Sequence, residues 1–190
     1  MTLSQNMRIP SSYRDPSGFV FFRDGVIYRK INSSYQEHYD LLIRSGLYEA
    51  LTTSGMLINH EEVDEDLASG LGELPRGYKI LKPELVPFIS YPYEWSFNQL
   101  KDAALTTLNI QKMALEYGMT MKDSSAYNIQ FLKGKPVLID TLSFEKYNEG
   151  EPWVAYRQFC QHFLAPLALA SYRHIGLNGL MRANIDGIPL

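Results

Sequence analysis

The chain has 190 residues, 45% of them hydrophobic and 21% charged, with a formal net charge of -3. That length holds one ordinary domain or two small lobes, and the slight negative charge excludes bulk attraction to nucleic acid or to an anionic membrane. A single cysteine, Cys160, excludes an internal disulfide framework and any multi-cysteine zinc site. No apolar run approaches the ~18 residues of a membrane span, and the N-terminus M-T-L-S-Q-N-M-R-I-P lacks the apolar core of a signal peptide. A cytoplasmic protein is expected.

Residues 1–17 are polar, carry Pro10 and Pro16, and read as a tail. Residues 18–32, G-F-V-F-F-R-D-G-V-I-Y-R-K-I-N, read as a hairpin turning at Asp24-Gly25. From Tyr35 to Leu51, apolar residues at helical spacing predict one helix, capped by Ser33 or Ser34 and closed by Gly55. M-L-I-N, 56–59, reads as a short strand, and the acidic, glycine-containing stretch 60–73 as a surface loop. Tyr78–Leu81 and Leu85–Ser90 read as two more strands. The stiff aromatic connector Y-P-Y-E-W follows. Ser96 and Gln99 form a capping box that opens a helix to Tyr117, with Phe97, Leu100, Ala104, Leu108 and Leu115 expected inward. A last helical region begins near Pro152 and carries Trp153, Tyr156, Cys160, Phe163, Leu164 and Leu167, with a bend expected at Pro166. Cys160 sits in that apolar pattern and reads as a buried structural thiol. The closing N-I-D-G-I-P-L offers no closing element, and the chain reads as a piece of a longer protein.

Between the two helical regions lies K-D-S-S-A-Y-N-I-Q-F-L-K-G-K-P-V-L-I-D-T-L-S-F-E, residues 122–145. Two short strand-like runs joined by K-G-K separate Asp123 and Asn128 from Asp140. A hairpin there returns the chain, so that three oxygen-bearing side chains meet. Phosphoryl transfer needs little more than magnesium on the phosphates, a carboxylate to orient the attacking hydroxyl, and a cation on the α and β phosphates. Magnesium takes hard oxygen ligands, typically one or two carboxylates plus phosphate and water. Asn128 and Asp140 suit the metal, and Asp123 suits the hydroxyl. Each residue also has a bland reading. Asp123 and Asp140 are ordinary turn caps, and Asn128 tolerates a left-handed backbone. His38, His60, His162 and His174 lack metal-ligand spacing and read as core or surface residues.

D-x-x-x-x-N at 123–128 and V-L-I-D at 137–140 resemble the catalytic loop and the metal-delivering strand of the protein-kinase-like fold. The order of elements is similar too: a small β lobe with one helix, a connector, a long helix, the loop and the hairpin. The likeness covers about residues 18–170 and is nearer the small-molecule, aminoglycoside phosphotransferase-like branch. It implies an α+β fold of two lobes, a small β-rich lobe over 18–92 and a mostly helical one over 93–190, incomplete at the C-terminus. It further implies ATP and magnesium as cofactors, a small-molecule hydroxyl as acceptor, Asp123 as base, and Asn128 and Asp140 as metal ligands. The backbone from Ser90 and Tyr91 to Tyr93 would meet adenine. Arg29 or Lys30 would hold phosphate, paired with Glu37 or Glu49. By strand alternation only one of Arg29 and Lys30 faces such a cleft. The chain departs from the pattern at Met121, where kinases carry a histidine, at T-L-S after Asp140, and in having only R-D-G in place of a glycine-rich loop.

A second resemblance runs through S-Y-P-Y-E-W-S-F, L-K-D-A-A-L, and K-D-S-S-A-Y-N-I-Q-F followed by I-D-T-L-S-F-E. These look like the N-terminal region of bacterial proteins labelled SAM-dependent methyltransferases. That likeness implies a non-catalytic kinase-like domain that binds a ligand or partner. A methyltransferase domain would lie downstream and bind S-adenosylmethionine outside this chain.

Overall fold

The computed structural model describes residues 7–8 (backbone only), 15–64 and 77–190. Of the expected tail and acidic loop, residues 1–6, 9–14 and 65–73 lie outside the described residues. Among the described residues the fold is α+β: a five-stranded antiparallel sheet, two two-stranded ladders and five α-helices. The chain divides into two compact units, one of Met1–Leu41 with Asn59–Leu85, the other of Leu42–Ile58 with Val86–Leu190.

The first unit holds the sheet, ordered β1-β2-β3-β5-β4. Its strands are β1 (Met7–Arg8), β2 (Gly18–Arg23), β3 (Val26–Asn32), β4 (His60–Val63) and β5 (Gly77–Pro83). The turn between β2 and β3 puts Asp24 at φ 50° and Gly25 at φ 78°. Two consecutive positive φ values give the twist that a two-residue hairpin needs. Alternation places Phe19, Phe21 and Ile80 in one buried cluster, with Tyr28 and Val63 packed against it. The expected loop over 60–73 is corrected at its start, because His60–Val63 is the edge strand β4, paired with Ile80–Pro83. Its glutamates look solvated in sequence, but they face cross-strand lysines: Lys79 Nζ lies 2.6 Å from Glu62, and Lys82 Nζ 3.6 Å from Glu61. Leu85–Ser90, expected as a strand, is irregular. Pro87 removes a ladder donor there, and Ser90 bonds a side chain instead.

The expected helix over 35–51 is three pieces: a 3-10 turn (Ser33–Tyr35), α1 (Gln36–Arg44) and α2 (Leu47–Thr53). Gly46, at φ 87°, makes the break. Met56–Asn59 is a single parallel bridge, Leu57 to Leu138, rather than a strand.

In the second unit α3 (Phe97–Glu116) starts as expected, with Ser96 and Gln99 exchanging both capping-box bonds. Its inner face is Leu100, Ala103, Ala104, Thr107, Ile110, Gln111 and Ala114. Leu108 and Leu115, expected inward, are 40% and 43% exposed. The buried stripe was masked by two polar residues whose needs are met internally. Thr107 Oγ1 donates to the Ala103 carbonyl, and Gln111 bonds Thr120 and the Met121 N–H. After α3 come β6 (Met119–Met121), the hairpin β7 (Ile129–Leu132) and β8 (Lys135–Leu138), and β9 (Phe144–Lys146), which pairs with β6. The K-G-K turn repeats the first hairpin's geometry, with Lys133 at φ 51° and Gly134 at φ 77°.

The last helical region begins at Tyr156, later than Pro152. It runs as α4 (Tyr156–Phe159), a π-helical turn (Cys160–Leu164) and α5 (Ala165–Tyr172), followed by 3-10 turns over Ile175–Arg182. The irregularity expected at Pro166 precedes it. Pro166 has no N–H to give, and Ala165 donates five residues back, to Cys160. Cys160 is buried, as expected. No helix among the described residues is long and apolar enough to cross a membrane.

Candidate functional site

The site builds outward from the open end of the β7–β8 hairpin. Ile129 and Leu138 are the last ladder pair, and one residue on the Ile139 N–H donates to the Asn128 carbonyl at 2.8 Å. Asn128 therefore faces Ile139, and Asp140 follows immediately. The chain then turns tightly. Asp140 Oδ1 accepts the Leu142 N–H at 2.9 Å, and the Asp140 carbonyl accepts the Ser143 N–H at 3.2 Å. The Ser143 carbonyl in turn accepts the N–H groups of Lys122, at 2.8 Å, and Asp123, at 3.4 Å. This backbone relay, together with the β6–β9 register Met121↔Phe144, gathers Asp123, Asn128 and Asp140 into one loop cluster. All three are half-buried.

The bland readings hold for both aspartates alongside the gathering. Asp123 Oδ1 caps its own turn by accepting the Ser125 N–H at 2.9 Å, as Asp140 does with Leu142. Asn128 differs. Its φ is not positive; it closes the 3-10 turn Ala126–Asn128. Its Nδ2 is buried and finds no hydrogen-bond partner among the described residues, an unusual state for an amide. Among those residues no group of three or more His, Cys, Asp or Glu side chains is placed to hold a metal ion. The amide oxygen of Asn128 and the carboxylate of Asp140 are the hard donors that magnesium favours, and substrate phosphate and water would have to complete its shell.

Four side chains from elsewhere in the unit fasten the loop 120–126. From α3, Gln111 accepts the Met121 N–H at 2.8 Å. Trp153 Nε1 donates to the Met121 carbonyl at 2.8 Å. From α4, Gln158 Oε1 accepts the Ser124 N–H at 2.7 Å, while Ser124 Oγ donates to the Ala155 carbonyl. From the π turn, His162 Nδ1 accepts the Ala126 N–H at 3.4 Å, and its ring stands edge-on to Tyr127. His162 is 2% exposed. Burial pulls its pKa below the ordinary histidine range, outweighing the upward pull of the Asp123 carboxylate and of its bond to the Asp186 backbone. Sequence reading missed Gln158 and His162. The available signal was their spacing, two polar residues four apart in an otherwise apolar helical stretch.

The remaining candidates stand as follows. Arg29 and Lys30 lie in the first unit, on opposite faces of β3. Lys30, across from Phe19, is 8% exposed, with Nζ 5.9 Å from the Phe19 ring centroid. Its stem crosses Gly77 so closely that a Cβ there would collide with Lys30 Cε. Arg29, across from Val20, pairs with Asp15 at 3.0 Å. Glu37 and Glu49 are exposed. In the second unit the Ser90 N–H donates to Gln130 Oε1 at 2.9 Å, and the Ser90 carbonyl accepts Gln130 Nε2 at 3.1 Å. The Tyr91 N–H donates to Glu94 Oε2 at 2.8 Å, and the Tyr91 ring stacks on Tyr93. Both segment donors are thus committed within the unit.

The first unit carries a second polar cluster. Tyr39, on α1, donates to Glu62 Oε1 at 2.9 Å and lies 3.1 Å from His60 Nε2, so that nitrogen bears the proton. Glu62 also holds Lys79, and Tyr78 donates to Asp40. Beside it opens a pocket of about 420 Å³, whose lining includes Gly25, Ile27, His60, Lys82 and Glu84.

No protein-family model matches the chain. The nodulation protein NoeA of Rhizobium meliloti (strain 1021) is 36% identical to it over 183 residues. The match takes up 96% of this chain and 37% of NoeA. The chain is thus similar to part of a larger protein, spanning little more than a third of the curated relative it matches.

Proposed function

We propose that the chain is a kinase-like, two-lobed domain that transfers a phosphoryl group from ATP to a hydroxyl of a small molecule. The observation that carries this reading is the apposition of Asn128 and Ile139 at the hairpin end. It sets Asp140 beside Asn128 and brings Asp123 to the same cluster. In this reading Asn128 and Asp140 hold magnesium, which would neutralise phosphate charge. Asp123 orients the acceptor hydroxyl and receives its proton, and Lys30 or Arg29 holds phosphate. The order of elements supports it as well: sheet with helix, connector, capped long helix, loop, hairpin. The test is a thermal shift with ATP and magnesium. A nucleotide at a hundredfold excess over its dissociation constant stabilises by ~2.7 kcal/mol, and Asp140→Asn should remove the magnesium-dependent part. No shift in the parent chain, or the same shift in both, sinks the reading.

A second reading is favoured by a specific observation, the engagement of Ser90 by Gln130 and of the Tyr91 N–H by Glu94. Adenine would have to displace those bonds. Here the chain is a non-catalytic kinase-like domain serving an attached SAM-dependent methyltransferase, and S-adenosylmethionine binds beyond these residues. The greater length of NoeA is compatible with such an attachment. Gln130→Leu separates the two readings. If Gln130 merely blocks a nucleotide site, its removal creates ATP binding; if the segment has no such role, binding stays absent.

A further inference from the structure

Position 121 is a methionine, fully buried and unable to make a directed bond to the loop that follows. The loop is nonetheless held at its centre. The Ala126 N–H, two residues before Asn128, points at His162 Nδ1. The other ring nitrogen faces the Asp186 backbone carbonyl. Both nitrogens are therefore engaged: Nδ1 accepts and Nε2–H donates, which fixes one neutral tautomer. The arrangement is closed from behind by the turn at Asp186-Gly187. Gly187 sits at φ +91°, and a Cβ there would stand 2.6 Å from Gln161 Cβ and 2.9 Å from His162 Cδ2. Ile188 N–H then bonds the Gln161 carbonyl at 2.9 Å. Residues near the chain's end thus press His162 onto the loop of Asp123.

We propose that His162 is the positioning residue of the Asp123–Asn128 loop, reaching it from a later helix and locked by the Asp186-Gly187 turn. The role rests on the phosphoryl-transfer reading only for its consequence in catalysis. Its geometry stands apart from that reading. The ring does not exchange protons with substrate, since neither nitrogen is available. It sets where Asp123 and Asn128 stand.

Two substitutions separate positioning from space-filling. Asparagine at 162 places Oδ1 where Nδ1 was and keeps an acceptor for Ala126, whereas glutamine places its amide near Nε2 and loses that acceptor. Amide hydrogen exchange at Ala126, measured by NMR on the whole chain, is expected to be about tenfold faster in His162→Gln than in the parent chain or in His162→Asn. Equal rates in the two variants overturn the proposal. On the unaltered chain, the nitrogen spectrum of His162 should place the ring proton on Nε2. A proton on Nδ1 overturns the proposal as well, whether or not either variant folds. Neither readout uses nucleotide, so phosphoryl transfer can fail with Asp140→Asn while this role survives. Where transfer is observed, His162→Gln should lower kcat with the nucleotide KM held, and His162→Asn should restore it. An equal fall in both counts against positioning.

Discussion

His60 in the first unit and His162 in the second are buried in much the same way, yet they fasten different things. Burial holds both below the ordinary histidine range, so both are neutral in the folded chain. His60 meets other side chains, in a cluster that ties α1 to the edge of the sheet through Tyr39 and Glu62. His162 meets backbone, an N–H on one side and a carbonyl on the other. A side-chain cluster sets how tightly elements adhere. A backbone-directed ring sets the shape of a loop. The first unit's histidine should therefore register in stability, and the second unit's loop in what the site does.

The largest expected effect tests the second half of that contrast. Asp123→Asn keeps the Oδ1 that caps Ser125 but loses the charge. If the loop serves transfer, kcat should fall about a hundred- to ten-thousandfold with the melting temperature little changed; a large loss of stability instead would mean that Asp123 is chiefly a cap. Next comes packing: Ile110→Ala should cost ~2–5 kcal/mol in urea unfolding, because that face of α3 is fully buried.

The third prediction tests His60, whose pKa burial pulls from 6.5 down to about 4, against the upward pull of Glu62. The folded value lies below the unfolded one, so the unfolded chain binds the extra proton between them. Stability should be whole above about pH 6.5 and decline as pH falls toward 4, by an amount on the order of 3 kcal/mol. His60→Gln, which can still donate to Tyr39, should flatten that decline in denaturation curves taken across the window. A slope unchanged by the substitution would assign it to other groups. Gly187→Ala should cost ~1–3 kcal/mol through its positive φ and close approach, and should loosen the His162 contact as it does so. The smallest effect is expected at Leu108→Gln, within ~0.5 kcal/mol, since that leucine faces solvent; a larger loss would restore it to the core.

Much of this was legible in the chain. Asp24-Gly25 and Lys133-Gly134 carry turn chemistry that acts over two residues, and both hairpins formed where it placed them. The capping box at Ser96 is equally local. Residues whose role depends on distant partners were misread. Thr107 and Gln111 look like surface residues until Ala103 and Met121 supply their bonds, so the apolar stripe of α3 was drawn through Leu108 and Leu115 instead. His60–Val63 looks solvated until Lys79 and Lys82 stand opposite. Asp123, Asn128 and Asp140 were legible by spacing, because a short hairpin brings its own ends together. His162 was not, because its partners Ala126 and Asp186 are separated from it by a hairpin on one side and a helix on the other.

The π turn at Cys160–Leu164 has a consequence for how this segment tolerates length changes. An ordinary helix advances each residue by ~100°, which would spread consecutive side chains onto different faces. The wider turn lets His162 and Phe163, neighbours in sequence, both face inward. Deleting one residue there would let the chain wind as plain α-helix and would swing everything beyond, Pro166 included, by about a quarter turn. The helix would survive such an edit; the aim of its histidine would not.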